Sequence, residues 1–129
     1  MITLTEPTYT IRLYVAWDLA DAKRILRAEC YPPNDGLCIT VEPTTFVYSG
    51  GEESGVVVGF VNYPRFPTGP VALWARAELI AERLIAGLCQ WSALLVGSDR
   101  TAWLNRREPA APASDVSTTG PSTDKKESA

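Results

Sequence analysis

The chain has 129 residues, a net charge of −3 and 46% hydrophobic residues, enough for one domain with a modest core. Its acidic balance argues against phosphate-backbone binding by bulk electrostatics. It has no histidine, which removes the commonest general base, the commonest metal ligand and every Ser-His or Cys-His dyad.

The stretch Met1–Thr10 is polar and lacks the apolar centre of a secretory leader. No apolar run approaches the ~18 residues of a membrane span. A reduced, cytoplasmic setting is therefore expected. "YTIRLYVAW" (Tyr9–Trp17) alternates. Ile11, Leu13 and Val15 face one way and Thr10, Arg12 and Tyr14 the other, the pattern of a half-buried strand. "DLADAKRILRAEC" follows, with Asp18 as N-cap and Asp21 in the first turn. Leu19, Ala22, Ile25 and Leu26 form its apolar stripe. "YPPNDG" (Tyr31–Gly36) ends this helix, because proline cannot continue it and Asn-Asp-Gly favours a turn.

"LCITVEPTTFVYSGG" reads as a long strand interrupted at Glu42-Pro43. Proline cannot donate to a ladder, so a bulge or an edge position is expected there. "GGEESG" is read as the hairpin tip. "VVVGFVNY" (Val56–Tyr63) returns as its partner, apolar enough to be buried on both faces. "NYPRFPTGP" (Asn62–Pro70) then leads to a second helix, capped by Thr68 or Gly69, with Pro70 in its first turn. Leu73, Ala77, Ile80, Leu84 and Leu88 recur at helical spacing, widened by Trp74, Ala81 and Ile85. "SALLVGSD" is a short last strand, and "TAWL" (Thr101–Leu104) can add an edge segment. From Glu108 to Ala129 the chain is Pro, Ala, Ser and Thr with almost no large apolar side chain, and disorder is expected.

The order β-α-β-β-α-β predicts an α+β fold, a two-layer αβ sandwich of ferredoxin-like topology. One domain (1–107) carries an antiparallel sheet with both helices on one face, followed by the tail 108–129. Such a sheet leaves its other face uncovered. Tyr14, Val57, Val61 and Tyr63, diluted by Thr10, Arg12 and Thr40, are candidates for that open face, and a homodimer through it is expected.

Candidate partner-binding residues are few. Tyr63, Arg65 and Phe66 sit in a proline-stiffened loop and are of types enriched at interface hot spots; the same loop also reads as a plain connector. Glu52 and Glu53 stand at the expected hairpin tip, a poor metal site without further oxygen ligands. Arg12, Lys23, Arg24 and Arg27 would form a small basic patch if strand and helix bring them together. Cys30, Cys38 and Cys89 show no C-x-x-C spacing, and Cys89 is expected in the core. No catalytic residue, metal or cofactor is indicated, and the chain reads as non-enzymatic.

"TIRLYVAWDLADAKRI", "GVVVGFVNYPRFP" and "LLVGSDRTAWL" resemble small proteins of tailed phages and prophages of Gram-negative bacteria. The resemblance covers most of residues 9–104 and brings no catalytic motif. It implies an accessory protein that binds a host or phage protein, as an inhibitor of a host defence factor. A small-ligand-binding regulatory dimer and a virion or assembly component are the alternatives.

Overall fold

Alternation along the first strand is realised as β1 (Thr10–Ala16), whose Ile11, Leu13 and Val15 are buried. The computed structural model describes residues 1–31 and 37–106. The turn expected at Tyr31–Gly36 lies largely outside the described residues, and the tail 108–129 lies wholly outside them. After β1 come α1 (Leu19–Glu29), β2 (Thr40–Tyr48), β3 (Gly51–Val61), α2 (Pro70–Gly87), β4 (Ser92–Val96) and β5 (Thr101–Asn105). The five strands form one antiparallel sheet in the order β2-β3-β1-β4-β5. The α+β class and the antiparallel sheet stand. The βαββαβ count is extended to βαββαββ, because the edge segment expected at Thr101–Leu104 is a five-residue edge strand, β5, paired along its length with β4.

Both helices start as their caps dictate. Asp18 accepts a hydrogen bond from the Asp21 N–H at 2.9 Å, satisfying one of the free donors of the first turn. Gly69 caps α2 without a side-chain bond, and Pro70 opens the helix. Each long helix face is buried against one side of the sheet. Ala22 and Leu26 of α1 and Leu73, Trp74, Ala77, Ile80, Ala81, Leu84 and Ile85 of α2 meet Leu13, Val56, Val58, Phe60 and Leu95. Leu13, Leu84 and Leu95 are fully buried, each contributing roughly 1.5–3 kcal/mol of transfer free energy. Arg83 grips the Glu29 carboxylate with two bonds of 2.8 and 2.9 Å and ties α2 to α1.

β2 is an edge strand, and its register runs unbroken through Pro43, paired with Val56. The edge position, not a bulge, accommodates the missing N–H. The β2–β3 turn is shorter than expected. Tyr48 pairs with Gly51, leaving only Ser49 and Gly50 as the loop, and Gly50 has φ 92°. Glycine takes that conformation without penalty. Glu52 and Glu53 are therefore in β3, paired with Val47 and Phe46, and not at the hairpin tip.

Cys89 also departs from expectation. It is exposed, with φ 56°. α2 ends at Gly87 and Leu88 is the last buried residue. Cys89 then turns the chain outward through the left-handed region, and the Gln90 N–H bonds the Ile85 carbonyl at 2.9 Å, as helix C-termini commonly do. No helix is long and apolar enough to cross a membrane among the described residues.

Candidate functional site

The sheet face opposite the helices is the open one, and strand register shows which residues share it. Glu42 pairs with Val57, Val57 with Tyr14, Tyr14 with Leu94, and Leu94 with Trp103. These residues make one row across all five strands. Thr40, Gly59, Arg12, Val96 and Thr101 form the row beside it. On the other flank, Gly55 pairs with Ala16 and Thr44. On this face β3 presents Gly55, Val57 and Gly59, and the larger Arg12, Tyr14, Leu94 and Trp103 stand on β1, β4 and β5.

The ring of Phe46 lies across Gly55, where any Cβ would collide with it. With Tyr14, Tyr48, Leu94 and Trp103 it encloses a cleft of about 530 Å³, whose one charged lining residue is Glu53. That volume is within the range of small-molecule sites. Trp103 is 60% exposed and Tyr48 54%, so the cleft offers uncovered aromatic surface with a carboxylate at its rim. Aromatic faces attract cations and stack on planar heterocycles.

Arg12 stands one row away. Its Nε donates to the Tyr14 hydroxyl at 3.2 Å. That hydrogen bond, more than any other influence, pushes the Arg12 pKa still higher, so the guanidinium stays charged. Among the described residues, no group of three or more Cys, Asp or Glu side chains is placed to hold a metal.

The expected basic patch is not assembled. Arg12 is on the open face, whereas Lys23, Arg24 and Arg27 are exposed on α1, which packs on the opposite face. Arg24 is held by Asp21 at 3.6 Å. Glu53 shares the open face with Phe46, and Glu52 points to the other side of β3. Tyr63 and Phe66 stack with centroids 5.9 Å apart, and Arg65 lies 5.6 Å over Phe66. Buried Asn62 anchors this loop. Its amide donates to the Pro7 carbonyl at 2.8 Å and its oxygen accepts from the Thr68 N–H at 2.9 Å. Phe46, Tyr48, Leu94 and Trp103 escaped sequence reasoning as a cluster, because they come from three strands that only pairing brings together. Extending the parity that placed Tyr14 and Val57 would have found Leu94 and Trp103.

No protein-family model matches the sequence, and no curated protein does. Two solved structures share its shape. A phage SAM lyase in the apo state superposes with a TM-score of 0.60 at 12% identity, over 84% of this chain and 100% of the other. A phage SAM lyase in complex with S-methyl-5'-thioadenosine gives 0.56 at 11% identity, over 81% and 95%. The likeness establishes the fold. Both neighbours are phage proteins.

The same finding overturns the non-enzymatic, protein-binding assignment, since this fold houses an enzyme acting on a small molecule. The error has a physical source. Lack of histidine excludes His-dependent proton transfer but not chemistry that needs no histidine.

Proposed function

We propose that the open face binds S-adenosylmethionine and that the chain cleaves it, releasing methylthioadenosine. The observation that carries this reading is the aromatic cleft with Glu53 at its rim, set in a fold shared over the full length of a phage SAM lyase. In this reading the adenine stacks among Trp103, Tyr48 and Phe46. The sulfonium lies over the Tyr14 ring, and Glu53 accepts from the ribose hydroxyls.

The chemistry balances without water or a protein base. The Cγ–S bond breaks and its electron pair goes to sulfur, giving the neutral thioether. The substrate's own carboxylate oxygen bonds to Cγ and closes a lactone. No proton moves. Opposite charges are neutralised as the transition state forms, so an apolar site that holds both groups close favours it over the solvated ground state. A second copy laid on this face, the expected homodimer, would exclude water from the cleft; light scattering tests it. A chain encoded by a phage of a Gram-negative host would act on the host's SAM in the cytoplasm.

The test is direct. Full-length protein is incubated with SAM and the products are followed by liquid chromatography and mass spectrometry. Methylthioadenosine should appear well above the uncatalysed rate, together with the lactone. Trp103→Ala should slow release at least tenfold while leaving the melting temperature unchanged. Wild-type release no faster than buffer alone overturns the proposal.

A further inference from the structure

Two residues along β1 from Tyr14, the open face holds a second basin of about 290 Å³, lined by residues that include Thr10, Arg12, Cys38, Thr40 and Tyr63. Arg12 is its one charged lining residue. The Arg12 guanidinium is fixed from one side only. Its Nε is bonded to the Tyr14 hydroxyl at 3.2 Å, and its carbon lies 5.9 Å from the Tyr14 ring centroid. The ion pairs among the described residues join Arg24 to Asp21 and Arg83 to Glu29, so no carboxylate of these residues pairs with Arg12. Glu42 acts on it only at longer range. Arg12 lines the basin and makes its hydrogen bond through Nε, which leaves its two terminal nitrogens for a ligand. Those nitrogens can hold one oxygen of a carboxylate and leave the other free to reach Cγ. Tyr14 separates this basin from the aromatic cleft and lines the latter. The rise of a strand puts the two residues roughly 7 Å apart.

We infer that the Arg12 basin is a carboxylate subsite, which takes the amino-acid arm of a ligand whose nucleoside end occupies the aromatic cleft. The inference rests on the nucleoside reading above and adds to it the source of discrimination. A ligand with the arm binds across both basins; a ligand without it binds in one. Tyr14 acts twice, as the surface under the cation and as the group that aims Arg12. The Thr10 and Thr40 hydroxyls border the same basin and suit the ammonium.

Calorimetric titration of the full chain with SAM and, separately, with methylthioadenosine tests this. Arg12→Gln should weaken SAM binding at least tenfold and leave methylthioadenosine binding within twofold. Arg12→Lys, which keeps the charge and loses the fork, should fall between. Tyr14→Phe, which keeps the ring and frees Arg12, should weaken SAM more than methylthioadenosine. If wild type binds both ligands and Arg12→Gln loses neither, or loses both equally, the subsite is overturned and the nucleoside reading stands. If wild type binds neither ligand, the nucleoside reading fails and the subsite falls with it.

Discussion

Phe46 lies flat across Gly55 on the open face of the sheet, and a methyl group at position 55 would also come within 2.9 Å of the Val15 carbonyl oxygen. The backbone contact cannot give way as a flexible side chain would. Gly55 is thus the reason an aromatic wall can stand on β2 and reach over β3.

Gly55→Ala should therefore displace Phe46. Overpacking of this kind costs about 1–3 kcal/mol, a fall in melting temperature of several degrees for a domain of this size. Phe46→Ala removes the ring's part of the clash but not the Val15 carbonyl's, so the double variant should lose less than the sum of the two single losses. Thermal unfolding of the three variants decides it.

Adjacent glutamates should behave differently. Glu53→Gln should slow methylthioadenosine release by roughly ten- to a hundredfold, the range for losing one charge-assisted hydrogen bond. Glu52→Gln, on the other side of the strand, should leave the rate unchanged. Equal effects would mean that the register does not set the site.

Asn62 holds "NYPRFPTGP" in place. Asn62→Ala leaves the Pro7 carbonyl and the Thr68 N–H without their partner, at a cost of about 1–3 kcal/mol. Arg65→Ala, on an exposed turn, should stay within ~0.5 kcal/mol. Urea denaturation of both variants gives the comparison.

Cys89→Gly should stabilise the protein. The residue has φ 56° and is exposed, and a left-handed conformation costs an ordinary residue roughly 1 kcal/mol. In alkylation followed by mass spectrometry, Cys38 and Cys89 should react before Cys30. Cys30 is partly covered, and burial pushes its thiol pKa up, with a smaller contribution from Cys38, so less of it is thiolate near neutral pH.

Local patterns were legible in the sequence. Ile11, Leu13 and Val15 alternate, the α2 stripe repeats at helical spacing, and Asp18 caps α1 as its side chain requires. What depends on register was harder. Two glycines flank the β2–β3 turn, and nothing local decides whether Glu52 and Glu53 are inside it. Arg12 and Arg24 are twelve residues apart, and only the packing of α1 against the far side of β1 separates them. The cleft was least visible, since Phe46, Tyr14, Leu94 and Trp103 come from four strands and only pairing makes them neighbours. Chemistry was misjudged for another reason. Lack of histidine excludes one kind of proton transfer and does not by itself exclude an enzyme.

The separation of core and site onto opposite sides of each strand bears on how such a protein diverges. Along β1 the odd-numbered residues answer to the helices and the even-numbered ones to whatever lies on the open face; along β3 the parity is reversed. Selection on ligand and selection on stability then act on interleaved, nearly independent sets of positions. Exposed residues on the open side, Gly55 and the buried Val57 apart, can be exchanged without an internal void opening, while those beneath drift among aliphatics of similar volume. A shape shared at 12% identity is the outcome such an arrangement permits.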